Sequence, residues 1–159
     1  MADFNVNQDS GDGFSVPVDG IGKVAVLKRT VDFTVAANQL AQNGVMAIFA
    51  LPAGVKTREF GMKAKTADTD VTSVHLGVFT RVAATSTITA VDADGFGVGV
   101  TLASAGHVGM DVDAAYNPQG TGGRGYVGTS DYYLAITNND ADTINEAVVD
   151  FYAIVEDLR

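Results

Sequence analysis

The sequence predicts an all-β protein, an antiparallel β-sandwich of jelly-roll-like plan with an extended N-terminal arm. Apolar and polar residues alternate with a period of two over much of the chain, the period that a pleated strand imposes. Val, Ile, Thr, Phe and Tyr fill the alternating stretches, and these side chains suit a half-buried pleated surface. With 18 glycines against 3 prolines and no tryptophan, tight turns must be frequent and the strands short. At 159 residues the chain fits one domain. A domain near this size buries about 68–70% of its unfolded surface, enough for a core without covalent staples. The expected division is an arm over residues 1–22 and a single sandwich domain over 23–159.

In chain order, the arm is rich in Asp, Asn, Gly and Ser, with isolated Phe4, Phe14, Val16 and Val18. Such a segment makes no core of its own, but its spaced apolar residues can anchor it on another surface. From Lys23 the alternation tightens: Val24 and Val26, then Val31, Phe33 and Val35, predict one long strand or two with an irregularity near Lys28-Arg29. Residues 36–44 read as a helical turn closed by Asn43-Gly44. The apolar run 45–51 predicts a strand covered on both faces, ended by Pro52-Ala53-Gly54. Residues 57–65 and 71–82 alternate around the turn 67–70 and predict a hairpin, with Val74, Leu76 and Val78 on one face and His75, Phe79 and Arg81 on the other.

Residues 85–91 are a further strand. Residues 92–99 and 105–128 are glycine-rich and read as long loops, with short strands at 98–102 and 108–112. A last hairpin is expected from 130–137 and 145–155. Tyr132, Leu134 and Ile136 share one face of its first arm; Val149, Phe151, Ala153 and Val155 share one face of its second. Asn138 to Thr143 supply short polar side chains that bond their own backbone in turns. That makes about eight or nine strands at short spacing, as sandwiches and jelly rolls have.

Charge and composition narrow the function classes. The net charge is −9 and the pI about 4.4, which argues against nucleic acid or an anionic membrane as principal partner, since both need a basic surface. The cations are unevenly placed: Lys23, Lys28, Arg29, Lys56, Arg58, Lys63, Lys65 and Arg81 all precede position 82. Without cysteine there is no disulfide, thiolate nucleophile or zinc-thiolate site. The N-terminus lacks a basic segment followed by an apolar run, so Sec export is not expected, and no stretch is long and apolar enough to span a membrane.

No catalytic, cofactor-binding or metal constellation emerges. Residues 120–125 match G-x-G-x-x-G, but no strand leads into the motif and no helix follows, so a flexible loop is the better reading. Asp92/Asp94, Asp111/Asp113 and Asp140/Asp142 place carboxylates two apart without completing a calcium loop, and Asp is a common turn residue. His75 and His107 sit in no known motif. A hydrolase or isomerase on this fold would need a metal held by such histidines and carboxylates. Arg124 is the one internal cation of the acidic half and is expected to pair with a carboxylate, within the subunit or across an interface.

Residues 31–35 leading into a short Asn/Gln loop, the run Ala47-Ile48-Phe49-Ala50-Leu51-Pro52-Ala53-Gly54 with the strand to Lys65, Gly125-Tyr126, Tyr132-Tyr133-Leu134 and Phe151-Tyr152 together resemble small virion proteins of tailed bacteriophages, the β-sandwich head decoration or cement proteins. The glycine often found in that family's last hairpin turn is missing. The resemblance covers roughly residues 31–155. It implies a jelly-roll-like subunit, commonly trimeric, made in the host bacterial cytoplasm and seated on the major capsid protein at the capsid surface, where it strengthens the shell. Expected contacts are Phe4 and Phe14 in the arm, the basic strand edge of Arg58, Lys63 and Lys65, and Arg124. The alternative is a tail or fibre-tip module that binds host glycan through loop aromatics such as Tyr116 and Tyr126.

Overall fold

A computed structural model of the chain describes residues 4–6, 23–82, 87–106, 108–111, 114–116 and 125–159. Phe14, His107, Arg124 and all but the last residue of the glycine motif lie outside them. Ten strands are present among the described residues: β1 (Phe4–Val6), β2 (Val24–Asp32), β3 (Val45–Leu51), β4 (Val55–Thr66), β5 (Val74–Val82), β6 (Thr87–Val100), β7 (Val108–Gly109), β8 (Tyr126–Val127), β9 (Tyr132–Asn138) and β10 (Val148–Asp157). The first sheet runs β1-β3-β9-β5-β6 and the second β2-β10-β4-β7, with β8 also on β4. Pairing is antiparallel except between β1 and β3. Apart from β1, the interleaved order is that of a jelly roll, the plan expected from the sequence.

Between the sheets lies one core. Phe60 is at its centre, with ring centroids 6.2 Å from Phe49, 6.1 Å from Phe96 and 6.3 Å from Phe151. Tyr132, Leu134 and Ile136 enter it from β9, and Val149, Phe151, Ala153 and Val155 from β10. Both arms therefore bury the faces that their alternation assigns. Tyr132 also satisfies its hydroxyl there, donating to the Val55 carbonyl at 2.8 Å and lying 2.9 Å from Thr57 Oγ1.

The two expected hairpins do not form. β9 lies in the first sheet and β10 in the second, and β4 and β5 are divided in the same way. Their connections, residues 139–147 and 67–73, cross between sheets about 10 Å apart. Alternation states which residues share a face, and two faces that meet across a core carry the same pattern as two that lie side by side. The crossings are tied together at one end of the sandwich. The Asp68 carboxylate accepts the Asn145 and Glu146 N–H groups at 2.9 and 3.0 Å, and Asp140 accepts the Thr72 N–H at 2.9 Å. Asn138 donates to the Leu40 and Asp142 carbonyls and accepts the Asp140 N–H, the turn chemistry expected of that stretch.

Two further expectations need correction. β2 pairs with β10 without interruption from Val24 to Asp32, so no irregularity occurs at Lys28-Arg29; instead Val24 and Val26 point outward, 56% and 57% exposed, while Val31 points into the core. Residues 92–99 are not a loop: β6 runs through them, irregular in its register against β5, and Phe96 is a core residue. Gly95 and Gly97 in it make room for close neighbours. A Cβ on Gly95 would stand 2.5 Å from the Tyr116 ring. Residues 36–44 do hold a helical turn, a single 3-10 turn at Ala36–Asn38, followed by Asn43 in the left-handed region at φ 61°.

Candidate docking surface

The fold collects five of the first half's eight cations, Lys28, Lys56, Arg58, Lys63 and Lys65, on the outside of the second sheet, while Arg29 donates to the Ile48 carbonyl of β3 and Arg81 belongs to β5 of the first sheet. In the β2–β10–β4 ladder, residues directly opposite one another share a face. Glu156 lies between Val24 and Lys56, Tyr152 between Lys28 and Gly61, and Asp150 between Thr30 and Lys63. Lys28, Lys63 and Lys65 are exposed on this face and Lys56 half-buried.

Arg58 sits where the β4–β10 register shifts between Ile154 and Val155. The extra residue turns its side chain outward, where Nε donates to Glu156 Oε2 at 2.7 Å and Nη2 lies 2.5 Å from the same oxygen. Thus three of the expected contacts, Arg58, Lys63 and Lys65, come together on one face. They do not lie on a strand edge as expected, because β4 is flanked by β10 on one side and by β7 and β8 on the other. Phe4 belongs to β1 at the edge of the opposite sheet. Sequence reading missed Lys28 and Lys56 as members of this face; the signal was their parity within β2 and β4, legible only once the register is known.

Anions and apolar groups are interleaved with the cations. The Tyr152 hydroxyl donates to Glu59 at 2.9 Å, and the Thr30 hydroxyl to Asp150 at 2.6 Å. Burial, and then the Glu59 carboxylate beside it, pushes the Tyr152 hydroxyl well above the ordinary tyrosine range. Leu158 and Val127 are exposed near the Val24 end. The face is a mosaic of one fixed ion pair, carboxylates bonded to hydroxyls, lysines and apolar side chains. Such a surface suits a protein partner better than a polyanion.

The first sheet presents a different exterior. Val45, Phe79 and Ala135 on its outer side are buried, packed under Ile88, Ala93 and Tyr133. Part of the cover comes from β6: a Cβ on Gly77 would collide with the Asp92 and Ala93 backbone. Close by, the Asp92 carboxyl is raised above its ordinary pKa by burial and then by Asp94, and Asp94 lies 3.8 Å from His75 Nδ1. No group of three or more His, Cys, Asp or Glu side chains among the described residues is arranged to hold a metal.

The loop aromatics proposed for glycan are not free platforms. Tyr116 packs tilted between Phe96 and Tyr126, ring centroids 5.5 and 5.4 Å away, and Tyr126 meets Tyr132 edge-on at 5.0 Å. Burial raises the hydroxyl pKa of both. The pair continues the core outward along one end of the sandwich.

No protein-family model matches the chain, and no curated relative does. Solved structures do. A chain in the capsid of Ralstonia phage GP4 superposes with a TM-score of 0.70 at 12% identity, over 98% of this chain and 98% of that one. A chain in the cyanophage Pam1 capsid asymmetric unit superposes with a TM-score of 0.54 at 20% identity, over 90% of this chain and 91% of that one. At these identities the likeness is one of fold, and it takes in the whole sandwich.

Proposed function

We propose that this chain is a structural protein of a tailed-phage virion, a decoration protein that binds the outside of the capsid and stabilises the shell. One observation carries the reading: its fold matches, over 98% of both chains, that of a chain in the capsid of Ralstonia phage GP4. The partner is the major capsid protein, and the subunit acts as a trimer made in the host cytoplasm. Contact is made by the outer face of the second sheet, with Arg58, Lys63 and Lys65 meeting acidic groups of the shell. Symmetry multiplies a modest single contact into a strong one, because each subunit after the first binds at high effective concentration.

The test is binding of the purified protein to capsids assembled without it. Saturable binding and a raised melting temperature of the particles are expected, with a trimer mass by light scattering. Failure to bind heads, with the protein recovered in tail fractions of purified virions, overturns the reading in favour of a tail module.

A further inference from the structure

The outer face of the second sheet carries more than cations. Eight large apolar side chains are exposed among the described residues, and four of them, Val24, Val26, Val108 and Val127, stand on this face. Register places them there: Val24 lies opposite Glu156 and Val26 opposite Ile154, while Val127 is level with Lys56 and Val108 with Lys63. Single exposed valines need no explanation, but a gathering of them does. Val24, Val26, Ile154 and Val127 share the end of the face where β2 begins, and there the Arg58 and Glu156 charges neutralise each other. Lys28, Lys63 and Lys65 occupy the middle and the other end. The face therefore has a direction, apolar at one end and cationic at the other.

We infer that the valine end is the anchor of the docking surface and that the lysines steer and orient it, so that the shell surface it fits is apolar at one end and carries carboxylates at the other. The inference rests on the docking reading above and goes on to the chemistry of the contact. An exposed ion pair adds little, since water screens it and two long side chains must be held still. A valine taken out of water gains without that cost, because branching at Cβ has already fixed its rotamer. Interfaces accordingly keep lysine at their rim. The charge balance agrees: the chain carries a net charge of −9, yet this face sets five cations against the carboxylates of Asp32, Glu59, Asp150 and Glu156. Its slight cationic excess calls for an acidic counterpart.

A second copy is the wrong occupant. Two copies meeting face to face across a two-fold axis set lysines either against lysines or against valines, and neither arrangement satisfies both ends. The extent of the face points the same way. β2 is nine residues long. At ordinary strand spacings, four strands of that length cover roughly 19 by 30 Å, or about 570 Å². A stable pair needs about 800 Å² per partner. A contact of this size holds when it is repeated over a symmetric shell.

Val24→Thr with Val26→Thr keeps the β-branched shape that the strand favours and exchanges one methyl of each side chain for a hydroxyl. Binding to capsids assembled without the protein should weaken about tenfold, by the same factor at low and high salt. Lys63→Glu with Lys65→Glu should weaken it mainly at low salt. Val98→Thr, at a comparably exposed position on β6 of the first sheet, should bind as the unaltered protein does. Unchanged affinity of the Val24 and Val26 variant at high salt, or an equal loss in the Val98 variant, overturns the anchor while docking through this face stands. If the unaltered protein binds no capsids, the docking reading falls and the anchor with it. Hydrogen exchange checks the anchor without substitutions. Lys23 accepts from the Asp157 N–H and the Phe33 N–H donates to Ala147, so odd-numbered residues bond toward β10 and the Val24 and Val26 amides point away from it. Those two amides should exchange more slowly on the capsid than in free protein, and unchanged exchange there sinks the idea.

Discussion

Phe79 and Ile154 hold equivalent places, each pointing outward from a strand flanked on both sides, yet Phe79 is 4% exposed while Ile154 is half-buried beside Val26. Outside the first sheet, β6 doubles over Gly77 and closes a second apolar cluster around Phe79. Outside the second sheet, no strand among the described residues folds over in this way; Met110 Sδ lies 3.7 Å from the Tyr152 hydroxyl, and lysines stand among apolar side chains. A sandwich has two exteriors. Here β6 covers the Val45, Phe79 and Ala135 cluster of one, and the proposed docking falls to the other.

Breaking the closed exterior should have the largest effect. Phe79→Ala removes a buried ring and is expected to cost about 3–5 kcal/mol, read as a lower urea midpoint with unchanged slope. Gly77→Val drives a side chain into the Asp92 and Ala93 backbone, which cannot swing away as a side-chain tip would; about 1–3 kcal/mol is expected. Should Gly77→Val be neutral, β6 does not cover this face as described.

The open exterior should respond in the opposite way. Lys63→Glu with Lys65→Glu should leave stability within about 0.5 kcal/mol, as exposed substitutions do. The same variant should weaken binding to undecorated capsids and flatten its salt dependence. Equal loss of stability on both faces would remove the distinction between them.

The smallest effect is on pH dependence, at the crossing that both faces share. The Thr72 N–H foremost, and then the Asp142 N–H, hold the Asp140 carboxyl below its ordinary pKa of 3.8. A carboxylate lowered by folding contributes stability that is fully present above its ordinary pKa and disappears as pH falls through the folded value. Asp140→Asn should therefore lower the melting temperature slightly at neutral pH, and the two proteins should converge below the ordinary carboxylate pKa. A constant difference across that range would show that the group is not the source.

Local periodicity was legible wherever a strand has one wet and one dry side. Tyr132, Leu134, Ile136, Val74, Leu76, Val78 and the inward residues of β10 all take the faces that alternation assigns, because the pleat fixes side-chain direction residue by residue. The turn at 138–143 was equally legible, since Asn138 and Asp140 bond the backbone within a few residues. The all-β class and its sandwich plan follow from such local facts.

Which strands are neighbours does not follow from them. Two stretches read as hairpins are crossings between sheets, a glycine-rich stretch is a strand against which Tyr116 and Gly77 pack, and β4 is interior to its sheet. In each case the deciding contact joins residues distant in sequence, such as Asp68 with Asn145 or Tyr132 with Val55. The sequence by itself determined most of the strands, the inner faces of those that alternate, and the uneven distribution of charge. Only the tertiary structure decided that Arg58, Lys63 and Lys65 share an exterior with Lys28, Lys56, Val24 and Val26, because strand order and register are set by packing across the core.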